Sequence, residues 1–308
     1  MIFPLVGNEK IKQSLTNAIN ENRLPHAILI EGDSGTGRHI LADFISMSAV
    51  CSGENSPCGE CASCHLAKGR NHPDISFTAP EDGKKNIAVS QIRNLRNEAF
   101  VKPHMSAKRV FVIDYADTLN EQSQNALLKV LEEPPGAVVF ILIAETKASL
   151  LDTIISRCVI FTLSTPEFSV AKKYLLKNTD FSEENISDAL YSSQNNIGQA
   201  ISILSGKGDS QTVAAAKQFL NCMRNRDYWG MIENCAIAEK NRIEADRFFK
   251  DLKYCTARRL RENTESYEAK ILSRLYTLIC ELEKSLSSNI NLSLLCCTLV
   301  SKAAEIII

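Results

Sequence analysis

Five short apolar runs, set apart by helix-patterned segments, do most to limit the folds open to this chain. They are His26–Glu31, Asp74–Phe77, Val110–Ile113, Val138–Ala144 and Cys158–Leu163. A strand with one wet face alternates apolar and polar residues, whereas the strongest of these runs are apolar throughout and need cover on both faces. Between them, Ile40–Val50 and Val89–Phe100 carry apolar residues at helical spacing (Val89, Ile92, Leu95 and Ala99 in the second). Gln122–Leu131 puts Ala126, Leu127, Val130 and Leu131 on one helix face, and that helix must end by Glu133 because Pro134 and Pro135 follow. Strands and helices in this alternation specify a doubly wound α/β domain with a parallel sheet, expected over residues 1–164.

The pattern changes after Pro166. Val170–Lys177, Glu183–Tyr191 and Ile197–Leu204 read as a small helical domain, expected over 165–207, and Ser205–Ser210 (SGKGDS) reads as a break. Beyond it, Ala245, Phe248, Leu252 and Cys255 recur at three and four residues, as do Tyr267, Ile271, Leu275, Leu278, Leu282 and Leu286. A larger helical domain is expected over 208–308. The chain is therefore read as one α/β domain followed by two all-α domains.

Charge narrows the function classes. With 35 Lys and Arg against 36 Asp and Glu, the net charge of −1 gives no whole-chain attraction to DNA or to an acidic membrane. The basic residues between Arg242 and Arg261 are offset by Glu244, Asp246, Asp251 and Glu262, the pattern of a solvated helix face. Val138–Ala144 falls far short of the roughly 20 apolar residues that span a bilayer, and Met1–Lys10 lacks the form of a secretory signal. A cytoplasmic protein with no membrane partner is the expectation.

Eleven cysteines are unevenly spread, with Cys51, Cys58, Cys61 and Cys64 clustered and seven scattered. In a chain with no export signal, Cys51-x6-Cys58-x2-Cys61-x2-Cys64 supplies the four thiolates of a closed tetrahedral zinc site, with Pro57 and Gly59 providing turn chemistry. Such a site has no open position, so a structural Zn²⁺ in a module at 51–64 is expected rather than zinc catalysis. Unligated buried thiols and a redox dithiol are the competing readings. The scattered cysteines are expected to be reduced and mostly buried.

Gly32-Asp-Ser-Gly35-Thr-Gly37-Arg38-His39 follows the first strand and opens a helix, the setting of a P-loop. A working loop carries Lys and then Ser or Thr where this chain has Arg38 and His39. Guanidinium does not replace a compact ammonium in a tight cradle, and imidazole is a poor Mg²⁺ ligand. Val110–Asp114 has the form of a Walker B strand, but Tyr115 stands where a water-polarising Glu belongs and cannot act as a base near neutral pH. Gly32, Gly35, Gly37, Arg38 and Asp114 thus outline a degenerate nucleotide site in which ATP is not bound productively. The plain alternative is a glycine turn kept for strand–helix packing.

Arg23-Leu-Pro-His-Ala27, the CxxC module, His72-Pro-Asp74, Asn125–Pro135 (NALLKVLEEPP) and Ser156-Arg157-Cys158 together resemble the clamp-loader branch of the AAA+ family, the loaders of bacterial DNA polymerase III. The resemblance covers residues 1 to about 205 and implies a RecA-like AAA+ domain, a helical lid and a helical collar. It also implies a hetero-oligomer with gamma/tau and delta subunits, acting on a sliding clamp and primed DNA. The altered P-loop narrows the resemblance to a subunit that lacks ATPase activity and lends an arginine to a neighbour. Arg157 matches that arginine; read without the resemblance, it would cap a helix or pair with Asp152. Gly198 stands where active members carry a phosphate-sensing Arg, and Thr146 lies near their polar sensor. Two other readings remain open: an active gamma/tau-like ATPase, and a stand-alone zinc-ribbon nucleic-acid binder. Near-neutral charge and the lack of aromatic residues among basic ones argue against the latter.

Overall fold

The computed structural model describes residues 4–81, 83–205, 211–262, 267–286 and 291–307, so the break at 205–210 lies, beyond Ser205, outside the described residues. These residues form two compact units, residues 1–178 with 195–199, and residues 179–194 with 200–308.

The first unit begins with α1 (Glu9–Asn20), β1 (Ala27–Glu31), α2 (Arg38–Val50), α3 (Ala62–Lys68), β2 (Ile75–Thr78) and α4 (Val89–Ala99). It continues with β3 (Arg109–Ile113), α5 (Glu121–Glu132), β4 (Val138–Ala144), α6 (Asp152–Ile155), β5 (Val159–Thr162) and α7 (Phe168–Asn178). The five strands make one parallel sheet in the order β2-β3-β4-β1-β5. Every residue of β3 and β4 is buried. Alternate residues go to opposite faces: Phe111, Phe140 and Leu142 pack with Leu95 of α4 and Leu127 of α5. Val112, Val139, Ile141 and Ile143 pack with Leu15 of α1 and Leu41 and Ile45 of α2. This two-sided cover is why the strand runs in the sequence are apolar throughout. Phe111 and Phe140 face each other in register and stack with ring centroids 5.6 Å apart.

One buried polar cluster holds the entry to β3. Asp74, fully buried before β2, accepts backbone N–H bonds from His104, Met105 and Ser106 at 2.6, 2.9 and 2.9 Å. Burial works to raise its pKa, but these N–H donors outweigh burial and hold the carboxyl below its ordinary value. His72 accepts the Asp74 N–H at Nδ1 and meets Ser106 Oγ at Nε2. The His-Pro-Asp sequence is thus a clamp on the loop that leads into β3.

The second unit holds α8 (Glu183–Ser192), the greater part of α9 (Ile197–Leu204), α10 (Gln211–Arg224), α11 (Tyr228–Glu239), α12 (Arg242–Glu262), α13 (Tyr267–Ser285) and α14 (Leu292–Ile307). Its core joins Phe219 and Met223, Met231 and Cys235, Phe248 and Leu252, Leu275 and Ile279, and Leu295 and Leu299. Phe248 meets both Phe219 and Phe249 edge to face. The basic residues of α12 are paired: Arg247 with Glu244, Lys250 with Asp246, Lys253 with Glu283, and Arg261 with Asp188. Arg247, Lys250 and Arg261 fit the solvated face the charges imply, whereas the Lys253–Glu283 pair is half-buried. Of the seven scattered cysteines, Cys235, Cys255 and Cys296 are buried, Cys158, Cys222 and Cys280 half-buried, and Cys297 exposed. Burial is therefore less general than expected, because the amphipathic helices carry several of these thiols at the margins of their apolar faces.

Candidate functional site

The glycine loop sits where the sequence places it, between β1 and α2. Its charged residues, however, turn to partners within the chain. Arg38, 7% exposed, places Nη2 3.3 Å from Oε1 of Glu145, the residue after β4. His39 Nε2 lies 2.9 and 2.8 Å from the two carboxylate oxygens of Asp114. The two positions that would offer magnesium an oxygen ligand thus face each other as an imidazole and a carboxylate. With His39 nearly half exposed, this pair is worth only about 0–1 kcal/mol and is no lock by itself. The handicap is chemical: the site has no hydroxyl where Mg²⁺ needs one.

A second set of contacts covers the loop. Ser34 O accepts from Asn196 Nδ2 at 2.9 Å and from Gln199 Nε2 at 3.2 Å, and Gly35 O accepts from Gly198 N–H at 3.1 Å. A Cβ on Gly198 would stand 2.6 Å from the Gly35 Cα, so no side chain fits there. The absence of a sensor arginine at 198 is therefore built into the packing. Tyr115 holds a left-handed backbone (φ +54) and donates its N–H to Asp114 Oδ1. Thr146 uses its hydroxyl to accept from Ala148 N–H and cap the turn at 147–149.

The cysteine cluster forms where α2 ends. Cys51 follows α2 directly, and Cys61 is the N-cap of α3, its sulfur accepting from Cys64 N–H. The four sulfurs all lie within 4.8 Å of one another, with Cys51–Cys58 at 3.6, Cys51–Cys61 at 4.0 and Cys58–Cys64 at 3.9 Å. Zn–S bonds of about 2.3 Å in a tetrahedron put sulfurs about 3.8 Å apart, so the quartet has the size of a Zn²⁺ site. Backbone N–H groups of Gly53 and Cys58 point at the Cys51 sulfur, and that of Cys61 at Cys58, which favours thiolates. Hydrogen bonding from the Ser52 backbone leads the lowering of the Cys61 thiol to about 5, while burial pushes Cys64 up.

Arg157 lies just past α6. Its Nη1 donates to Thr153 O at 2.8 Å and to Ser156 Oγ at 3.3 Å, and its Nη2 lies 2.8 Å from Oε1 of Glu132, the last residue of α5. It caps its helix, one of the local roles the sequence allows, but its acidic partner is Glu132 and not Asp152. The side chain is 34% exposed. Its neighbour Cys158 is half-buried, and burial pushes the thiol up to about 12.

The family model described as DNA polymerase III, delta subunit, matches residues 7–167, just over half of the 308. The chain is 35% identical over 181 residues to the DNA polymerase III subunit delta' of Haemophilus influenzae, a match covering 58% of this chain and 55% of that protein. It belongs to the DNA polymerase III delta-prime family. The chain is also 36% identical over 156 residues to DNA polymerase III subunit tau of Bacillus subtilis, covering 50% of this chain and 27% of that one. It spans about half the length of the delta' proteins it matches, 55% and 45% for those of H. influenzae and B. subtilis. Among solved structures, a DNA polymerase III gamma subunit-related protein of Thermotoga maritima superposes with a TM-score of 0.54 at 18% identity, over 96% of this chain and 99% of that one. That likeness shows the fold alone: a RecA-like AAA+ α/β unit, here with a four-cysteine module, followed by helices.

Within this delta-prime-family chain the sequence reading names the glycines, Arg38, Asp114, the four cysteines and Arg157. It misses Glu145, Asn196 and Glu132. Glu145 has a signal, being a carboxylate just past the C-terminal end of a parallel strand, where α/β sites gather. Asn196 has one too, since it is the N-cap of α9 and accepts Gln199 N–H. Glu132 has none, because its pairing with Arg157 depends on how α5 and α6 pack. Among the described residues, no helix is long and apolar enough to cross a membrane.

Proposed function

We propose that this chain is a non-ATPase subunit of the DNA polymerase III clamp loader, helping to load the sliding clamp onto primed DNA with gamma/tau and delta subunits as partners. In this reading its own glycine loop binds no ATP productively. Arg157 is the catalytic group it contributes, placed against a neighbouring ATPase subunit's nucleotide, where a guanidinium stabilises charge developing on the γ-phosphate. Cys51, Cys58, Cys61 and Cys64 would hold a structural Zn²⁺, whose role is to fix the 51–64 module rather than to take part in any chemical step.

The observation that carries the reading is the His39–Asp114 pair beside a buried, Glu145-paired Arg38. Arg38, His39 and Asp114, at side-chain positions that serve phosphate and magnesium in a working P-loop, each pair with a group in the same chain. The matching test has two parts. Titration of the isolated chain with Mg·ATP should give no saturable micromolar binding and no turnover. Omission of the chain from a reconstituted loader should abolish clamp loading on primed DNA. Micromolar binding with Mg²⁺-dependent turnover would instead make the chain an active gamma/tau-like ATPase.

A further inference from the structure

We propose that Glu132 is the positioning residue for Arg157, an inference that rests on the in-trans reading of Arg157. The contacts of Arg157 to Thr153 O and Ser156 Oγ come from its own helical turn and both use Nη1, so the other terminal nitrogen, Nη2, is held from elsewhere. Glu132 comes from a different helix and holds that nitrogen through its 2.8 Å ion pair.

The frame behind the pair is rigid. α5 is anchored by Leu127, Val130 and Leu131 in the core, and α6 by the fully buried Ile154. Between them, the buried Gln124 side chain donates to Leu119 O and Ser149 O and accepts Leu151 N–H, tying α5 to the segment that opens α6. Pro134 and Pro135 then end α5 with Glu132 as its last residue. A carboxylate in the last turn is set against the helix dipole, so α5 gains nothing from it for its own sake. The cation of Arg157 is what its placement serves.

The pair leaves the finger available. Arg157 has five N–H donors, and its contacts engage Nη1 and Nη2 only, so the Nε donor stays open on a side chain that is 34% exposed. A phosphate oxygen arriving from solvent can take open donors while Glu132 keeps its hold on Nη2. The guanidinium is thus held by three contacts within the chain, which narrow its orientations before a phosphate arrives.

A double-mutant cycle in the reconstituted loader tests this, comparing wild type, Glu132→Gln, Arg157→Ala and the double variant, with assembly checked by gel filtration. Glu132→Gln keeps length and shape and removes the charge. It should lower kcat of the DNA-dependent ATPase three- to tenfold with KM for ATP unchanged, a smaller loss than Arg157→Ala produces. In the Arg157→Ala background it should have no further effect, since Glu132 acts through the arginine. An unchanged or raised rate for Glu132→Gln overturns the proposal, a raised one making Glu132 a restraint. An equal loss in the Arg157→Ala background overturns it too, leaving Glu132 a packing role. If Arg157→Ala alone changes nothing, the in-trans reading falls and takes the proposal with it, a result distinct from failure at Glu132 alone.

Discussion

Arg38 and Arg157 each pair with one glutamate, at 3.3 and 2.8 Å, yet one is 7% exposed and the other 34%. Arg38 is enclosed beside a glycine loop whose Ser34 and Gly35 carbonyls are already engaged by Asn196, Gly198 and Gln199. Arg157 stands at the surface with donors uncommitted. On the proposed function, the contrast separates a cradle that has given up its own chemistry from a residue kept for a neighbour. At the cradle, Arg38, His39 and Asp114 pair within the chain. At Arg157, the partner within the chain leaves part of the guanidinium open.

The comparison can be strained from several sides, and the metal should strain it most. Structural zinc sites bind with about 10–16 kcal/mol, and α2 runs from Arg38 straight into Cys51. Chelation, or Cys61→Ser with Cys64→Ser, should abolish stoichiometric zinc and raise hydrogen exchange from Cys51 through α3 and the end of α2. The Arg157 segment should keep its protection; equal loosening at both places would mean that the two regions are not separable.

Next in size is Asp74→Asn, which sets an amide among three N–H donors. A loss of about 2–4 kcal/mol is expected in denaturant titrations. The sign with pH follows from the lowered carboxyl: the stabilisation is complete above the unfolded pKa of about 3.9 and disappears as pH falls through the folded value. Wild type should therefore lose stability into acid more steeply than the variant. Parallel curves would remove Asp74 as the loop's clamp.

Asp251 runs the opposite way and serves as a control in the second unit. Burial pushes it up to about 6, so the carboxyl destabilises the fold once pH rises past the unfolded value and on through 6. Thr212 donates to it at 2.6 Å, a bond an amide oxygen can also accept. Asp251→Asn should add about 2 kcal/mol at pH 7.5 and nothing at pH 4. It should leave both arginine sites unaltered.

The smallest effect is expected from Arg38→Lys with His39→Thr, which restores a P-loop sequence. Affinity for Mg·ATP should rise about tenfold, about 1.4 kcal/mol, without turnover, because Tyr115 and Gly198 remain. Turnover in this variant would show that the loop is the sole defect.

Much of this was legible because it is written in local chemistry. β3 and β4 are apolar on both faces since helices cover both faces, and their runs announce it. Cys51 to Cys64 announce their quartet by spacing, and Arg38, His39 and Tyr115 are read as departures from a fixed pattern. α1 and α3 were not read: α1 has only Leu15 fully buried, and α3 is a short helix drawn into the cysteine module. The partners Glu132 and Gln199 escaped because each meets its site through tertiary packing, which no spacing in the chain encodes, and Glu145 is marked only by its place just past a parallel strand.

The central claim is that Arg157, and not Arg38, serves ATP hydrolysis. Its most direct test is the DNA-dependent ATPase of the reconstituted loader carrying Arg157→Ala or Arg38→Met, the latter keeping an unbranched side chain in the buried position. The account predicts a loss well beyond tenfold, more than about 1.4 kcal/mol of transition-state stabilisation, for Arg157→Ala in an intact complex, and a rate within about twofold of wild type for Arg38→Met. The reverse order, or an unchanged rate for Arg157→Ala with assembly intact, would contradict it.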